Sequence, residues 1–393
     1  MSSIYSQLGV PTVINAAGTL TRLSGSLMDP EVTRAMAEAA RSFVRMDQLH
    51  AVAGAKIAEW TGAEAGLVTA GAAASLTLAA AACLAGTDFG RIDRLPDTAG
   101  MPNEIIIPRS HRNGYDHALR AAGARLVEVG LAERTRDPQP WEIEAAISEG
   151  TVAVAFSVGF SPLALSEVID VAHRHRLPVI VDASAALPPR GNLKSFIAAG
   201  ADLVGFSGGK GIRGPQASGI LCGRRGLIAS AALQMWDLDF LPELWNPPDS
   251  LIDPALLQSG VPNHGIGRAM KVGKEEIVGL LVALERFVTS DEIADRARLA
   301  KTAAQIVAAL ATLPTAQATL VERADLWPIV RIELPGTARR SAIEVARVLE
   351  AGSPPIYVAS GDARTGRLAI DPFCLQPGEA EVVVARLQTV LAG

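Results

Sequence analysis

Two side chains in this sequence are equipped for covalent chemistry on a carbonyl group. Lys210 stands in Val204-Gly205-Phe206-Ser207-Gly208-Gly209-Lys210-Gly211, directly after an apolar run and framed by glycines. An amine that attacks a carbonyl must be partly neutral, and burial at a strand end lowers the lysine pKa in that direction. The glycines would let the backbone pass close to a flat bound ring. A surface lysine in a Gly-rich turn reads the same way in isolation. Asp182 closes the run Pro178-Val179-Ile180-Val181-Asp182, 28 positions before Lys210. That interval holds one helix and one strand. The two residues should therefore end consecutive strands at one sheet edge, where open α/β folds bind ligands. Alone, an Asp in this place is equally a helix cap or a metal ligand.

A third element is Thr69-Ala70-Gly71-Ala72-Ala73-Ala74-Ser75, between a strand and an Ala-rich helix. Small residues at Gly71, Ala72 and Ala73 let backbone amides at a helix start approach a phosphate. The G-x-G-x-x-G spacing of dinucleotide sites and the P-loop pattern are both missing. Lysine, carboxylate and phosphate loop together suit pyridoxal 5'-phosphate (PLP). Its aldehyde takes an amine, and an acidic partner keeps its ring nitrogen protonated as an electron sink. Ser207-x-x-Lys210 also matches the nucleophile pair of penicillin-recognising enzymes, but the partner sequences Ser-Asp-Asn and Lys-Thr-Gly are absent.

The loop Pro108-Arg109-Ser110-His111-Arg112-Asn113-Gly114-Tyr115 offers His111 or Tyr115 as a ring to stack on a flat cofactor. Its plain alternative is a polar loop leading to a helix capped by Asn113. His173-x-His175 resembles a metal pair, but Arg174 and Arg176 flank it at a helix end, and pairing with the helix dipole explains it better. No metal site is expected.

Short Val, Ile and Leu runs alternate with helical patterns, which predicts an α/β fold. Strands are expected at 65–69, 104–107, 125–129, 152–157, 178–182, 202–206 and 219–223. Continuous apolar runs predict a mostly parallel seven-stranded sheet covered on both faces. The 219–223 run follows too closely for a helical crossover and is expected to be antiparallel. Helices are expected at 75–85, 115–122, 141–148 and 166–175, and one long helix over 270–298. A Pro- and Trp-rich irregular segment, 236–267, would lie over a site or at a subunit contact. The reading divides the chain into an N-terminal segment 1–44, a large cofactor domain 45–269 and a linking helix with a small α+β domain, 270–393.

The bulk composition narrows the function. With 393 residues, 49% hydrophobic and 20% charged, a sizeable core is expected. A net charge of -5 without a basic block argues against nucleic acid as a partner. The uncharged stretch 65–87 is rich in Ala and Gly, and it reads as a strand and a buried helix rather than a membrane span. The start lacks a signal-peptide pattern. Three unpaired-looking cysteines, Cys83, Cys222 and Cys374, fit a reducing cytoplasm.

Longer strings carry a resemblance. Ile14-Asn15-Ala16-Ala17-Gly18-Thr19-Leu20-Thr21, Thr61-Gly62-Ala63-Glu64-Ala65, Ser207 to Gln216 and Gly267-Arg268-Ala269-Met270-Lys271-Val272-Gly273-Lys274-Glu275-Glu276 resemble the bacterial selenocysteine synthase-like family of PLP enzymes. The likeness is greatest to the branch containing D-glucosaminate-6-phosphate ammonia-lyase. The resemblance implies an aspartate aminotransferase-like fold of type I. It gives Lys210 the Schiff base, Asp182 the pyridine nitrogen, Gly71, Ala72 and Ser207 the phosphate, and His111 the ring. Ser184 would touch the cofactor oxygen, and Arg268 the phosphate of a neighbouring subunit's cofactor. It also implies a homodimer or larger homo-oligomer acting on a small amino acid substrate. An acidic chain with no basic arm speaks against transfer of selenium on a tRNA.

The expected reaction is elimination on a 2-amino-3-hydroxy acid or amino sugar acid, releasing ammonia and a 2-keto acid. Arg367 is the candidate for the substrate carboxylate, and Arg22, Lys271 or Lys274 for a substrate phosphate. Racemisation, aldol cleavage and β-replacement start from the same Lys and Asp and stay open. A racemase would need a titratable group on the ring face opposite Lys210.

Overall fold

The computed structural model describes residues 3–131, 136–239, 241–258, 260–311, 313, 315–324 and 326–392. They form two compact units, Met28–Thr289 and a smaller one combining Met1–Leu27 with Ser290–Gly393.

After β1 (Ile14–Ala16), which belongs to the smaller unit, the chain lays down the seven strands of the large unit. These are β2 (Ala65–Thr69), β3 (Glu104–Pro108), β4 (Arg125–Val129), β5 (Thr151–Ser157), β6 (Val179–Asp182), β7 (Leu203–Ser207) and β8 (Gly219–Gly223). Their spatial order is β2-β8-β7-β6-β5-β3-β4. All neighbours are parallel except β8, which is antiparallel to β2 and β7 as its short approach from β7 required. The central strands are apolar on both faces because both are covered. Ile105, Ile107, Ile180 and Leu203 pack into one core and Ile106, Val179, Val181 and Val204 into the other.

The 65–87 stretch resolves into β2 and the helix Ala72–Ala85. Alanine suits this helix because it is buried nearly all round and must pack closely against the sheet and the helix Arg225–Met235. Among the described residues no helix is long and apolar enough to cross a membrane.

The single long helix expected over 270–298 is instead two, Lys274–Thr289 and Glu292–Leu310. Asp291 takes extended backbone between them and caps the second by accepting the Ala294 N–H at 3.0 Å. The first packs in the large unit against the helix Pro30–Ala39, where Arg286 pairs with Asp29 at 2.8 Å and with Glu31. The units therefore part at 289/290 and at 27/28, whereas the sequence reading drew its boundaries at 269/270 and 44/45.

In the smaller unit, β9 (Gln317–Val321), β10 (Ile329–Glu333), β11 (Ile356–Val358) and β12 (Arg367–Ile370) follow. One sheet has the antiparallel order β12-β10-β9, and β11 pairs in parallel with β1. That pairing is why the N-terminal residues join the C-terminal ones. Strand β9 was not expected, because Gln317 and Thr319 interrupt its apolar pattern.

Candidate active site

Asp182 and Lys210 come together at the carboxyl edge of the large sheet. Asp182 ends β6 opposite Ser157 on β5 and Gly205 on β7. Lys210 sits three residues past the end of β7, in the connection to β8. Burial pushes the Lys210 ammonium below its ordinary pKa, and the Asp182 carboxylate partly opposes that shift. Among the described residues, Asp182 accepts one hydrogen bond, from the Ser184 N–H at 3.0 Å, and its side chain keeps further acceptor capacity.

The glycines around Lys210 have a different task from the one expected. A Cβ on Gly208 would fall 2.1 Å from Ser218 Oγ, one on Gly209 2.5 Å from Gln216 Oε1 and one on Gly211 2.1 Å from the Leu187 carbonyl. They let the connection fold tightly onto itself and onto the 183–187 turn that follows Asp182. That close packing is what fixes the lysine.

Gly71 has φ +92° and begins the Ala72–Ala85 helix without a side-chain cap or an acidic residue in the first turn. The first amides of that helix have no partner within the helix. Gly219 makes the loop possible: its Cβ would lie 2.5 Å from the Gly71 carbonyl carbon and 2.8 Å from Ala72 N. Gly219 is also the register partner of Ser207, so Ser207, Gly71 and Ala72 gather at one place. Sequence reasoning missed the support beneath. Thr69 Oγ1 lies 2.7 Å from Ser75 Oγ and donates to the Gly71 carbonyl at 3.1 Å, and Ser75 Oγ donates to the Ile220 carbonyl at 3.2 Å. Two hydroxyls flanking a Gly-Ala run were the available signal.

His111 follows β3 and is fully buried, while Tyr115 is 62% exposed and leaves His111 as the aromatic candidate. The Ser157 N–H donates to His111 Nδ1 at 3.2 Å, and Nε2 lies 2.7 Å from Ser161 Oγ. Phe156 meets the ring edge-on at 4.6 Å. Burial lowers its pKa to about 4, so the imidazole is neutral at pH 7. His111 has no exposed surface. Asn113 does cap its turn, accepting the Tyr115 N–H at 2.8 Å. Asn113, Phe156, Ser157 and Asp182 also line one small cavity.

The remaining expected residues are placed as follows. Ser184 is half-buried beside Asp182. Ala73 is exposed at the helix start. Arg268 donates to Asp237 at 2.6 Å, and its buried Nε has no partner among the described residues. Lys274 pairs with Glu275. In the smaller unit, Arg22 lies 5.3 Å from the Tyr357 ring centroid. Arg367 pairs with its register partner Glu333 at 3.4 Å, which spends its guanidinium on a cross-strand contact. His173 and His175 bond to Asp202 and Glu144 rather than to each other's neighbourhood, so the apparent metal pair is two carboxylate contacts.

A seven-stranded α/β sheet with a half-buried lysine and a carboxylate at its carboxyl edge and helix N-terminal amides nearby fits PLP, whose aldehyde, ring nitrogen and phosphate need those three partners. Fold and site define a PLP-dependent enzyme of fold type I. The profile of the L-seryl-tRNA selenium transferase family matches residues 13–237, and the chain belongs to that family. It is 34% identical to a 5'-C-glycyluridine monooxygenase-decarboxylase of Streptomyces sp., over 98% of this chain and 92% of the relative. It is 33% identical to the D-glucosaminate-6-phosphate ammonia lyase of Salmonella typhimurium, over 99% and 98%. A solved D-glucosaminate-6-phosphate ammonia-lyase superposes with a TM-score of 0.81 at 31% identity, covering 100% of this chain and 99% of the other. The expected family, fold type and cofactor are thereby borne out.

Proposed function

We propose that this enzyme eliminates ammonia from a small 2-amino-3-hydroxy acid, of the amino sugar acid kind, to give a 2-keto acid. The PLP part of the reading rests on a lysine whose ammonium is destabilised by burial beside the Asp182 carboxylate, a pair that other PLP reactions share; the elimination part needs its own support. Full-length similarity to an ammonia lyase supports it.

In this reading Lys210 Nζ holds the cofactor aldehyde carbon and Asp182 the ring nitrogen. The amides of Gly71, Ala72 and Ala73, with Ser207, take the phosphate, and Ser184 the ring oxygen. When bound, the cofactor supplies a sink for the electron pair left at the substrate Cα. The Lys210 amine would accept the substrate Cα proton as general base. The 3-hydroxyl leaves as water, and hydrolysis of the released enamine consumes one water, so ammonia and keto acid form one to one. Arg268 acts across a homo-oligomer contact, toward the phosphate of a neighbouring subunit's cofactor. Arg22 and Arg367 remain proposed substrate contacts, the latter only by leaving Glu333. A cytoplasmic setting suits three free thiols.

A second reading has its own support, since a relative of equal similarity is named a monooxygenase-decarboxylase. Oxidative decarboxylation would consume oxygen and release carbon dioxide. Purified enzyme with 2-amino-3-hydroxy acids should release ammonia and keto acid in equal amounts without oxygen uptake. Stoichiometric oxygen consumption with carbon dioxide would replace the lyase assignment, and amino transfer without free ammonia would exclude it.

A further inference from the structure

The hydrogen bonds at the two ring nitrogens of His111 involve the Ser157 amide and the Ser161 hydroxyl. Nδ1 accepts from the Ser157 backbone N–H at 3.2 Å, so it carries no proton. A neutral imidazole has one N–H, which must then be on Nε2. Its neighbour there is Ser161 Oγ at 2.7 Å. Ser161 Oγ also takes the Leu163 N–H at 3.3 Å, so both of its lone pairs are used in accepting. Were Ser161 to donate to Nε2 instead, both ring nitrogens would be acceptors, and the ring would have to be an imidazolate.

We propose that Ser161 is a positioning residue: it accepts from the Nε2–H that the Ser157 amide imposes on His111, and so withholds the ring from proton exchange with the substrate. The proposal rests on the PLP lyase reading and deepens it, because it confines proton transfer to Lys210. The surroundings agree with the geometry. Phe156 closes the ring edge, and Arg112 on the same turn is bound to Asp116 and Glu128. Asp182, register partner of Ser157 at the end of β6, accepts from the Ser184 N–H and, among the described residues, shows no hydrogen bond to the ring. Gly159, at φ +84°, turns the chain so that Ser161 comes back over His111. A racemase would need a group there that gains and loses a proton; this imidazole has both nitrogens committed.

The test is nitrogen-15 NMR of histidine-labelled protein without added cofactor, with His111 assigned by difference from His111→Gln. Wild type should show an unprotonated Nδ1 and a protonated Nε2, unchanged between pH 5.5 and 8.5. Ser161→Ala should keep Nδ1 unprotonated but shift the Nε2 resonance and speed exchange of its proton, and Ser161→Thr should keep the wild-type pattern, with thermal melts confirming that both variants fold. In the loaded enzyme, substrate recovered from deuterated water after partial turnover should carry deuterium at Cα with its configuration retained. Identical spectra for wild type and Ser161→Ala would overturn the proposal. So would a wild-type His111 that titrates in this range, or inverted substrate in the recovered pool. The NMR arm needs no turnover, so its failure leaves the lyase assignment standing, and absent ammonia release leaves the tautomer assignment standing.

Discussion

The two edges of the seven-stranded sheet carry the same residue types and use them in opposite ways. At the amino edge, Asp202 precedes β7 and is buried. It accepts from the Val179 N–H at 2.8 Å and Arg224 at 3.2 Å, and lies 2.9 Å from His173 Nε2. At the carboxyl edge, Asp182 ends the neighbouring strand and, among the described residues, accepts one hydrogen bond, from Ser184. The histidines differ likewise. His173 faces a carboxylate, whereas His111 meets a backbone amide and a hydroxyl and stays neutral. The difference lies in how many hydrogen-bonding positions the protein has already filled. A saturated aspartate holds strands together, and one with open acceptor positions is available to a ligand. Asp371 in the smaller unit repeats the first case. It follows β12 and accepts from Trp327 Nε1 at 2.8 Å, Phe373 N–H at 3.0 Å and Arg323 at 3.3 Å.

This contrast can be broken or sharpened by paired substitutions. Asp182→Asn should lower turnover by ~10²- to 10³-fold while leaving the melting temperature nearly unchanged, because the lost negative charge acts on the cofactor rather than on the fold. Asp202→Ala should do the reverse, costing roughly 1–3 kcal/mol of stability by stranding the buried Val179 N–H. Denaturant titrations and steady-state kinetics on both variants decide whether the edges differ as described.

Acid should expose the buried histidines next. Burial holds His50 and His111 near pKa 4, below the ordinary 6.5. The unfolded chain then protonates first as pH falls, so stability is present above pH 6.5 and is lost between pH 6.5 and 4. The loss is up to about 3 kcal/mol per histidine. His50→Phe keeps a ring against Trp236 and should flatten this slope, measured as unfolding midpoint against pH.

Gly219→Ala is a smaller, local probe. Its Cβ would press on the Gly71 carbonyl, and overpacking of ~1–3 kcal/mol should weaken PLP binding by roughly tenfold or more in a cofactor titration. Arg367→Ala should matter least. A cross-strand surface pair contributes under about 1 kcal/mol, so stability should barely move, and a large rise in KM would instead assign Arg367 to the substrate.

The placement of Asp182 at the end of β6 and of Lys210 just past β7 was legible in the sequence, because each follows an apolar run and the run fixes the sheet edge that comes next. The antiparallel β8 was legible from chain length alone. What could not be read depends on contacts distant in sequence. Thr69 and Ser75 support the Gly71 loop through the Ile220 carbonyl, 145 positions away, and Ser161 acts on a histidine 50 positions earlier. The glycines beside Lys210 were visible, but their reason was not: they admit Ser218, Gln216 and Leu187, which no local pattern names. The break at Asp291 was a missed cap within a run that otherwise kept helical period. The joining of residues 1–27 to the C-terminal unit follows from β1 pairing with β11, a register that two three-residue strands do not announce.

The most direct measurement is the visible absorption of the purified, PLP-reconstituted protein beside Lys210→Ala and Asp182→Asn. The wild type should show the band of a lysine-bound cofactor. Lys210→Ala should lack it, and Asp182→Asn should show it shifted, because the ring nitrogen loses its anionic partner. A wild-type protein that stays colourless after reconstitution, or a Lys210→Ala variant with the unchanged wild-type band, would contradict the assignment of this edge as the active site.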